Sequence, residues 1–404
     1  MTTEPRILLM AETYHPVLGG GEKYTRSLAR GLARLGFGMQ VVTRRSSDDL
    51  KPLEVDDGVT IHRVAPTGQG RGKKFAMIPS ALRLARRLAR ESDVLMNGGT
   101  RVLALPSRLA IAGTSCALVL RPELNGELDG TLALWGRPPR ALERSLVRSA
   151  ARLRNRLLQR AGAVVAISEA IAGEARDAGF PGSRIHRIPH GIDLSEYAPA
   201  SPDEKRARRR ALGLPPEAVL VAYTGRLIEG KGLETLLAAM RSLADLPSWH
   251  LVLVGSGSGQ VISVEEALRK SAEAEGLRGR VTFTGRVENV AHYLGAADLF
   301  AFPTLDEALG MSAVEAQACG LPAVASRTGG VPDIVEHNVT GLLVPPGEAG
   351  PLAESVRSLL SDPDLRSRFS TAARARMKER FAFDLMVRRY ADLFRSLALA
   401  RRVA

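Results

Sequence analysis

Two carboxylates and two cations stand out by the company they keep. Glu307 and Glu315 flank the run Ala308-Leu309-Gly310-Met311-Ser312-Ala313-Val314, directly after the apolar stretch 298–302. A loop that delivers Glu307 and a helix that starts near Gly310 leave the amides of Leu309, Gly310 and Met311 free, a ready anion site at a helix N-terminus. Gly310 lets a phosphate approach without a Cβ in the way. Glu315 then falls in a helix whose other members are Ala, Val and Cys, a costly place for a carboxylate unless it is hydrogen-bonded. The vicinal hydroxyls of a ribose would donate two such bonds, and Glu307 would face the opposite end of the same ligand.

Arg226 and Lys231 sit among glycines in Gly225-Arg226-Leu227-Ile228-Glu229-Gly230-Lys231-Gly232. They are placed to neutralise a diphosphate from the side opposite the Gly310 amides. Gly19-Gly20-Gly21 and Glu22 follow the first apolar run, where three glycines allow close backbone contact with a phosphate or sugar. Neither this run nor Gly255-Ser256-Gly257-Ser258-Gly259 has the G-x-G-x-x-G spacing of a dinucleotide site. The second run reads as a loop on the nucleotide side.

The elements that must position these residues are legible as short β-branched runs between helical stretches. Strands are expected at 6–10, 39–43, 59–64, 94–96, 117–121 and 163–167, then at 219–224, 250–254, 281–284, 298–302, 322–326 and 342–344, with helices such as 21–36, 232–245 and 310–319 between them. Two alternating series mean an α/β protein of two doubly wound, Rossmann-like domains. The expected division is a first domain over 1–198, a second over 199–380 and a terminal helical segment, 381–404. The polar, Pro-bearing stretch around Pro199–Arg210 reads as the linker.

The chain has 404 residues and a net charge of +13. Residues 1–195 carry 30 Lys and Arg against 18 Asp and Glu, and residues 196–404 carry 26 against 25. A basic half suits an anionic partner, although a general arginine bias is the plainer account. Aromatic residues are only 4% and no nucleic-acid module is recognisable, so nucleic acid is not the expected partner. No run of about 18 apolar residues occurs, the first residues lack the layout of a secretion signal, and the only cysteines are Cys116 and Cys319. A cytoplasmic protein is expected. Over 140–160, Arg144, Arg148, Arg152, Arg156 and Arg160 recur every fourth residue opposite Leu142, Leu146, Leu153 and Leu157. The plain reading packs those leucines on the core with the arginines in water; the sharper one lays the arginines on an anionic membrane surface.

The chain resembles the retaining glycosyltransferases of family 4, which have the GT-B fold. The resemblance rests on Glu307 and Glu315 followed by Ala-x-Ala-x-Gly-Leu-Pro, Gly225-Arg226-Leu227 with Lys231, Gly285-Arg286-Val287, Ala297-Asp298-Leu299, Gly19–Glu22 and Ile188-Pro189-His190-Gly191-Ile192-Asp193. It implies two domains facing across a cleft, an acceptor-binding one over 1–198 and a nucleotide-sugar-binding one over 199–380, and a last helix over 381–404 that returns to the N-terminal domain. It further implies a nucleotide-sugar donor held by Arg226 and Lys231 on the diphosphate, Glu315 on the ribose and Glu307 on the sugar. Backbone near Arg286 and Val287 would meet the base, and Gly20 and Gly21 would approach the diphosphate. No cofactor and no metal are implied, and configuration is retained without an established protein nucleophile.

One departure is plain. Many members carry a histidine after the strand that ends near Leu120, where this chain reads Arg121-Pro122-Glu123-Leu124-Asn125-Gly126-Glu127. Arg121 and Gly126-Glu127 are the expected substitutes. The resulting expectation is transfer of a sugar to a glycan or lipid-linked acceptor in cell-envelope or exopolysaccharide biosynthesis, at the inner membrane face. A soluble small-molecule acceptor, or a catalytically silent protein that only binds a nucleotide-sugar, are the alternatives.

Overall fold

The computed structural model describes residues 4–403 apart from 18–19, 69, 135–140, 247 and 274–276, so Gly19 lies outside the described residues. The chain divides into one unit of Met1–His190 with Asp384–Ala404, and a second of Gly191–Phe383.

The first unit holds β1 (Arg6–Ala11), β2 (Gly38–Arg44), β3 (Leu53–Asp56), β4 (Val59–Val64), β5 (Val94–Gly98), β6 (Ala117–Arg121), β7 (Ala163–Ala166) and β8 (Ile185–Arg187). They form one sheet in the order β3-β4-β2-β1-β5-β6-β7-β8, in which only β3 runs antiparallel. Helices cover both faces of such a sheet, so its strands read as near-continuous apolar runs: Ile7, Leu8, Leu9 and Met10 are all fully buried. β3 escapes sequence reading because Leu53 and Val55 face solvent, at 56% and 70% exposure. The signal that could have found it is Asp57-Gly58, both at positive φ in the hairpin turn to β4.

The second unit holds β9 (Val219–Thr224), β10 (Trp249–Val254), β11 (Val281–Gly285), β12 (Leu299–Phe302), β13 (Ala323–Ser326) and β14 (Gly341–Val344), all parallel in the order β11-β10-β9-β12-β13-β14.

Of the helices, those that bear on function are α1 (Gly20–Arg34), α2 (Ala141–Leu158), α3 (Glu169–Asp177), α4 (Pro202–Ala211), α5 (Leu233–Arg241), α6 (Met311–Ala318) and α7 (Phe383–Val403). From Asp384 onward α7 belongs to the first unit, where the Tyr24 hydroxyl donates to the Tyr390 hydroxyl at 3.2 Å.

Two expectations are corrected. The stretch read as a linker is mostly α4, a helix of the second unit. Ser201 and Glu204 close a reciprocal capping box, and Arg209 is buried with its guanidinium 2.6 Å from Asp298. The leucines of α2 do not pack on the core. Leu142, Leu146, Leu153 and Leu157 are 71%, 62%, 62% and 55% exposed, while Ala151, Asn155 and Leu158 make the buried face. Asn155 anchors that face by donating to the Leu128 carbonyl at 2.7 Å.

Candidate active site

In each sheet the chain winds one way from a central strand and then the other, and ligands of such sheets bind beyond the carboxyl ends of the strands at that reversal. In the second unit the reversal lies between β9 and β12. The loops that leave these strands are tied together: the Leu305 amide donates to the Gly230 carbonyl at 2.9 Å, and the Thr304 hydroxyl to the same carbonyl at 3.4 Å. Gly232, at φ 68°, caps α5 where any Cβ would run into the Pro303 carbonyl oxygen. This closure brings Lys231 Nζ to 2.7 Å from Glu307 Oε2, with both side chains about one-fifth exposed.

Beneath them Tyr223 is buried, and its hydroxyl donates to the Arg226 carbonyl at 3.2 Å. Burial, and then the charge of Glu307, hold that hydroxyl well above the usual tyrosine range. Gly310 caps α6 at φ 106°, where a Cβ would meet the Phe302 ring at 3.1 Å and the Glu307 side chain at 3.3 Å. Among the described residues the amides of Leu309, Gly310 and Met311 donate to no acceptor.

Glu315 lies one turn into α6, half-buried. Its partner is the Tyr197 hydroxyl, a contact sequence reasoning missed because Tyr197 lies far away in a loop. Burial, and then the charge of Glu315, push the Cys319 thiol up to about 12. Arg226 and Arg286 are exposed, with Val287 half-buried next to Arg286. The Gly255–Gly259 turn serves packing: its first amide donates to the Gly285 carbonyl at 3.1 Å, and a Cβ at Gly255 would strike the Gly225 carbonyl. Asp298 is structural, accepting from the Leu220 amide at 2.8 Å besides pairing with Arg209. The run Asp362-Pro363-Asp364 is a helix cap, with Asp362 accepting from the Leu365 amide at 2.8 Å.

The first unit reverses between β1 and β5, and there a cavity of about 280 Å³ is lined by Glu12, Glu22, Lys74, Arg101, Glu123 and Glu127, among others. Gly20 and Gly21 open α1 beside it. Glu22 accepts from the Thr13 hydroxyl at 2.6 Å. Burial raises the Glu12 carboxyl above its usual range, against the opposing pull of Lys74 and Arg101. The expected substitutes for a histidine turn out otherwise. Arg121 is wholly buried, its guanidinium 4.9 Å from the Tyr24 ring centre, with Nη2 donating to Thr25 Oγ1 at 2.9 Å and to Glu123. Glu127 is consumed as a loop anchor by the amide and hydroxyl of Thr100 and the amides of Glu123 and Leu124. Gly126, at φ 78°, is a turn residue against Leu132. Glu123 is what the sequence reading passed over, an acid two residues beyond a strand end.

The comparisons with known proteins decide the family. The family described as "Glycosyltransferase Family 4" matches residues 18–196, and "Glycosyl transferases group 1" matches residues 204–376. A D-inositol 3-phosphate glycosyltransferase of Xylanimonas cellulosilytica is 30% identical over all of this chain and 99% of its own. The chain belongs to glycosyltransferase family 4. This glycosyltransferase is also 35% identical, over 52% of its length and 56% of the relative's, to a GDP-mannose-dependent monoacylated alpha-(1-6)-phosphatidylinositol monomannoside mannosyltransferase of Corynebacterium glutamicum. It is similar in structure to sucrose-phosphate synthase from Thermosynechococcus elongatus, with a TM-score of 0.81 and 26% identity, covering 98% of this chain and 100% of that one. The fold is GT-B, and the enzyme is a nucleotide-sugar-dependent transferase of a retaining family.

Proposed function

We propose that the enzyme transfers a sugar, with retention, from a nucleoside-diphosphate sugar to a glycan or lipid-linked acceptor in cell-envelope or exopolysaccharide assembly. The observation that carries the donor half is the Lys231–Glu307 pair beside the unbonded amides that start α6. An arriving diphosphate takes the charge of Lys231 and Arg226 and the amides of Leu309, Gly310 and Met311. That frees Glu307 for the sugar hydroxyls, while Glu315 exchanges Tyr197 for the ribose and backbone at Arg286 and Val287 meets the base. The bond from the anomeric carbon to phosphate breaks as the acceptor oxygen bonds on the same face, and the acceptor proton passes to the departing phosphate. These cations and amides do the charge neutralisation that a metal would otherwise do. A thermal-shift panel of UDP-, GDP-, ADP- and dTDP-sugars tests the reading, since a donor that binds only the native state raises its midpoint. No shift with any of them would sink it.

For the acceptor, the inositol phosphate and the phosphatidylinositol mannoside for which the two relatives are named favour an anionic, polyhydroxylated head group. The exposed leucines of α2 support work at an anionic membrane surface, at the cytoplasmic face. No helix among the described residues is long and apolar enough to cross a membrane, so contact would be peripheral. On α2 the leucine stripe points away from the core and Arg148, Arg152 and Arg156 flank it, an arrangement that water alone does not explain. Each engaged arginine contributes about 1 kcal/mol, fading within roughly 10 Å at 0.1 M salt. Replacing Arg148, Arg152 and Arg156 with Gln should abolish co-sedimentation with phosphatidylglycerol vesicles and leave nucleotide binding intact. Wild-type protein that ignores such vesicles at low salt would favour a soluble acceptor instead.

A further inference from the structure

We propose that Glu123 receives an acceptor hydroxyl in the first-unit cavity and that the buried Arg121 is the residue that positions it. This rests on the reading that the first unit takes the acceptor. The cavity lies where the winding of the first sheet reverses, at the carboxyl ends of β1 and β5. Its lining includes the carboxylates of Glu12, Glu22, Glu123 and Glu127, which suit a ligand that donates hydrogen bonds from several hydroxyls, and the cations Lys74 and Arg101, which suit its charge.

Of these carboxylates, Glu22 and Glu127 hold Thr13 and the 123–127 loop. Glu123 is held from one side only. Its Oε1 accepts from Arg121 below, and among the described residues nothing donates to Oε2, which faces Gly21. Its side chain is 31% exposed and that of Arg121 is 0%, so the pair presents a carboxylate upward on a cation that solvent does not reach.

The surroundings fix that geometry. Arg121 lies over the Tyr24 ring, which stacks on His190 with centroids 3.6 Å apart. Glu174, from α3, accepts from the amides of Gly126 and Asp129 at 2.9 and 3.0 Å and anchors the loop just beyond. At Gly98 a Cβ would lie 3.1 Å from Arg121 Nη2 and 3.2 Å from Glu123 Oε1, and at Gly21 it would lie 3.5 Å from Glu123 Oε2. Both positions therefore leave the carboxylate its place. A buried cation with a single charged partner gives that partner one strongly preferred orientation.

The test titrates the full chain, loaded with the nucleoside diphosphate that the thermal-shift panel selects. D-inositol 3-phosphate and methyl α-mannoside are the soluble polyol probes. Wild type should bind at least one. Glu123→Gln should weaken that binding about 10- to 100-fold, as expected for loss of a charged hydrogen-bond acceptor. Gly98→Ala keeps the charge but displaces it, and should weaken binding several-fold. Arg121→Met should match Glu123→Gln; if it fails to fold, Gly98→Ala carries the positioning claim alone. A merely structural pair would lower thermal stability and leave probe affinity unmoved. Unchanged probe affinity in Glu123→Gln and Gly98→Ala, or a wild type that binds neither probe, overturns the proposal. Failure of the transferase reading shows separately, as a wild type that binds no nucleoside diphosphate.

Discussion

The two reversal points share a topology and differ in charge. In the second unit, glycine turns bring one exchangeable ion pair, Lys231 with Glu307, against the free end of α6. In the first unit, the same place in the sheet carries four carboxylates, and the Arg121 guanidinium that pairs with one of them, Glu123, is sealed below the surface. A parallel sheet thus supplies a location and nothing more. What is bound there depends on which groups the loops bring and whether their partners can be displaced. A surface pair can yield to an incoming anion, whereas a buried guanidinium cannot leave its carboxylate.

The largest effect should come from breaking the loop closure of the second unit. Gly232→Ala forces a Cβ at φ 68° into the Pro303 carbonyl. It should cost roughly 3 kcal/mol of stability and abolish detectable turnover. Urea unfolding and donor assays check this. A stable, active variant would mean the loops tolerate separation.

Next, Glu307→Ala should lower turnover about 100- to 1000-fold with little change in affinity for free nucleoside diphosphate. Glu315→Ala should weaken free-nucleotide binding about tenfold, as expected for a charged hydrogen-bond acceptor. Calorimetry with the nucleotide and then with the full donor separates them. Equal loss of nucleotide affinity in both would erase the distinction drawn here.

A pH experiment addresses the first unit. Burial, and then the charge of Arg121, depress His190 from 6.5 to about 3, so it folds as the neutral base. Between about pH 6.5 and 3 the unfolded chain binds a proton that the folded one does not, and stability therefore falls as pH falls. On the order of 2 kcal/mol should be lost from pH 7 to 5 at this site. Urea midpoints for wild type and His190→Asn should converge as pH drops through that window. Parallel slopes would show that His190 does not titrate as described.

The smallest expected effect is none at all: turnover in EDTA should match turnover without it. A loss restored by Mg²⁺ would require a metal beside Lys231 and overturn the account of the donor site.

Much of the candidate site was legible in the chain because its signals are local. A glycine at a strand–helix junction, a carboxylate in an alanine helix and a basic residue between glycines each conflict with their immediate neighbours, and such conflicts mark candidate functional positions. Apolar runs marked twelve of the fourteen strands among the described residues for a similar reason, since strands buried on both faces need apolar residues throughout. Partners distant in sequence were not legible. Lys231 meets Glu307 only because the loops after β9 and β12 converge, and Tyr197 reaches Glu315 from a loop far earlier in the chain. The α2 helix shows the limit most plainly. Its sequence carries two faces able to pack, one of leucines and one of Ala151 and Leu158, and its periodicity cannot rank them. Packing chose the smaller face because Asn155 there reaches the Leu128 carbonyl, a bond available in only one rotation of the helix, and this choice left four leucines outside.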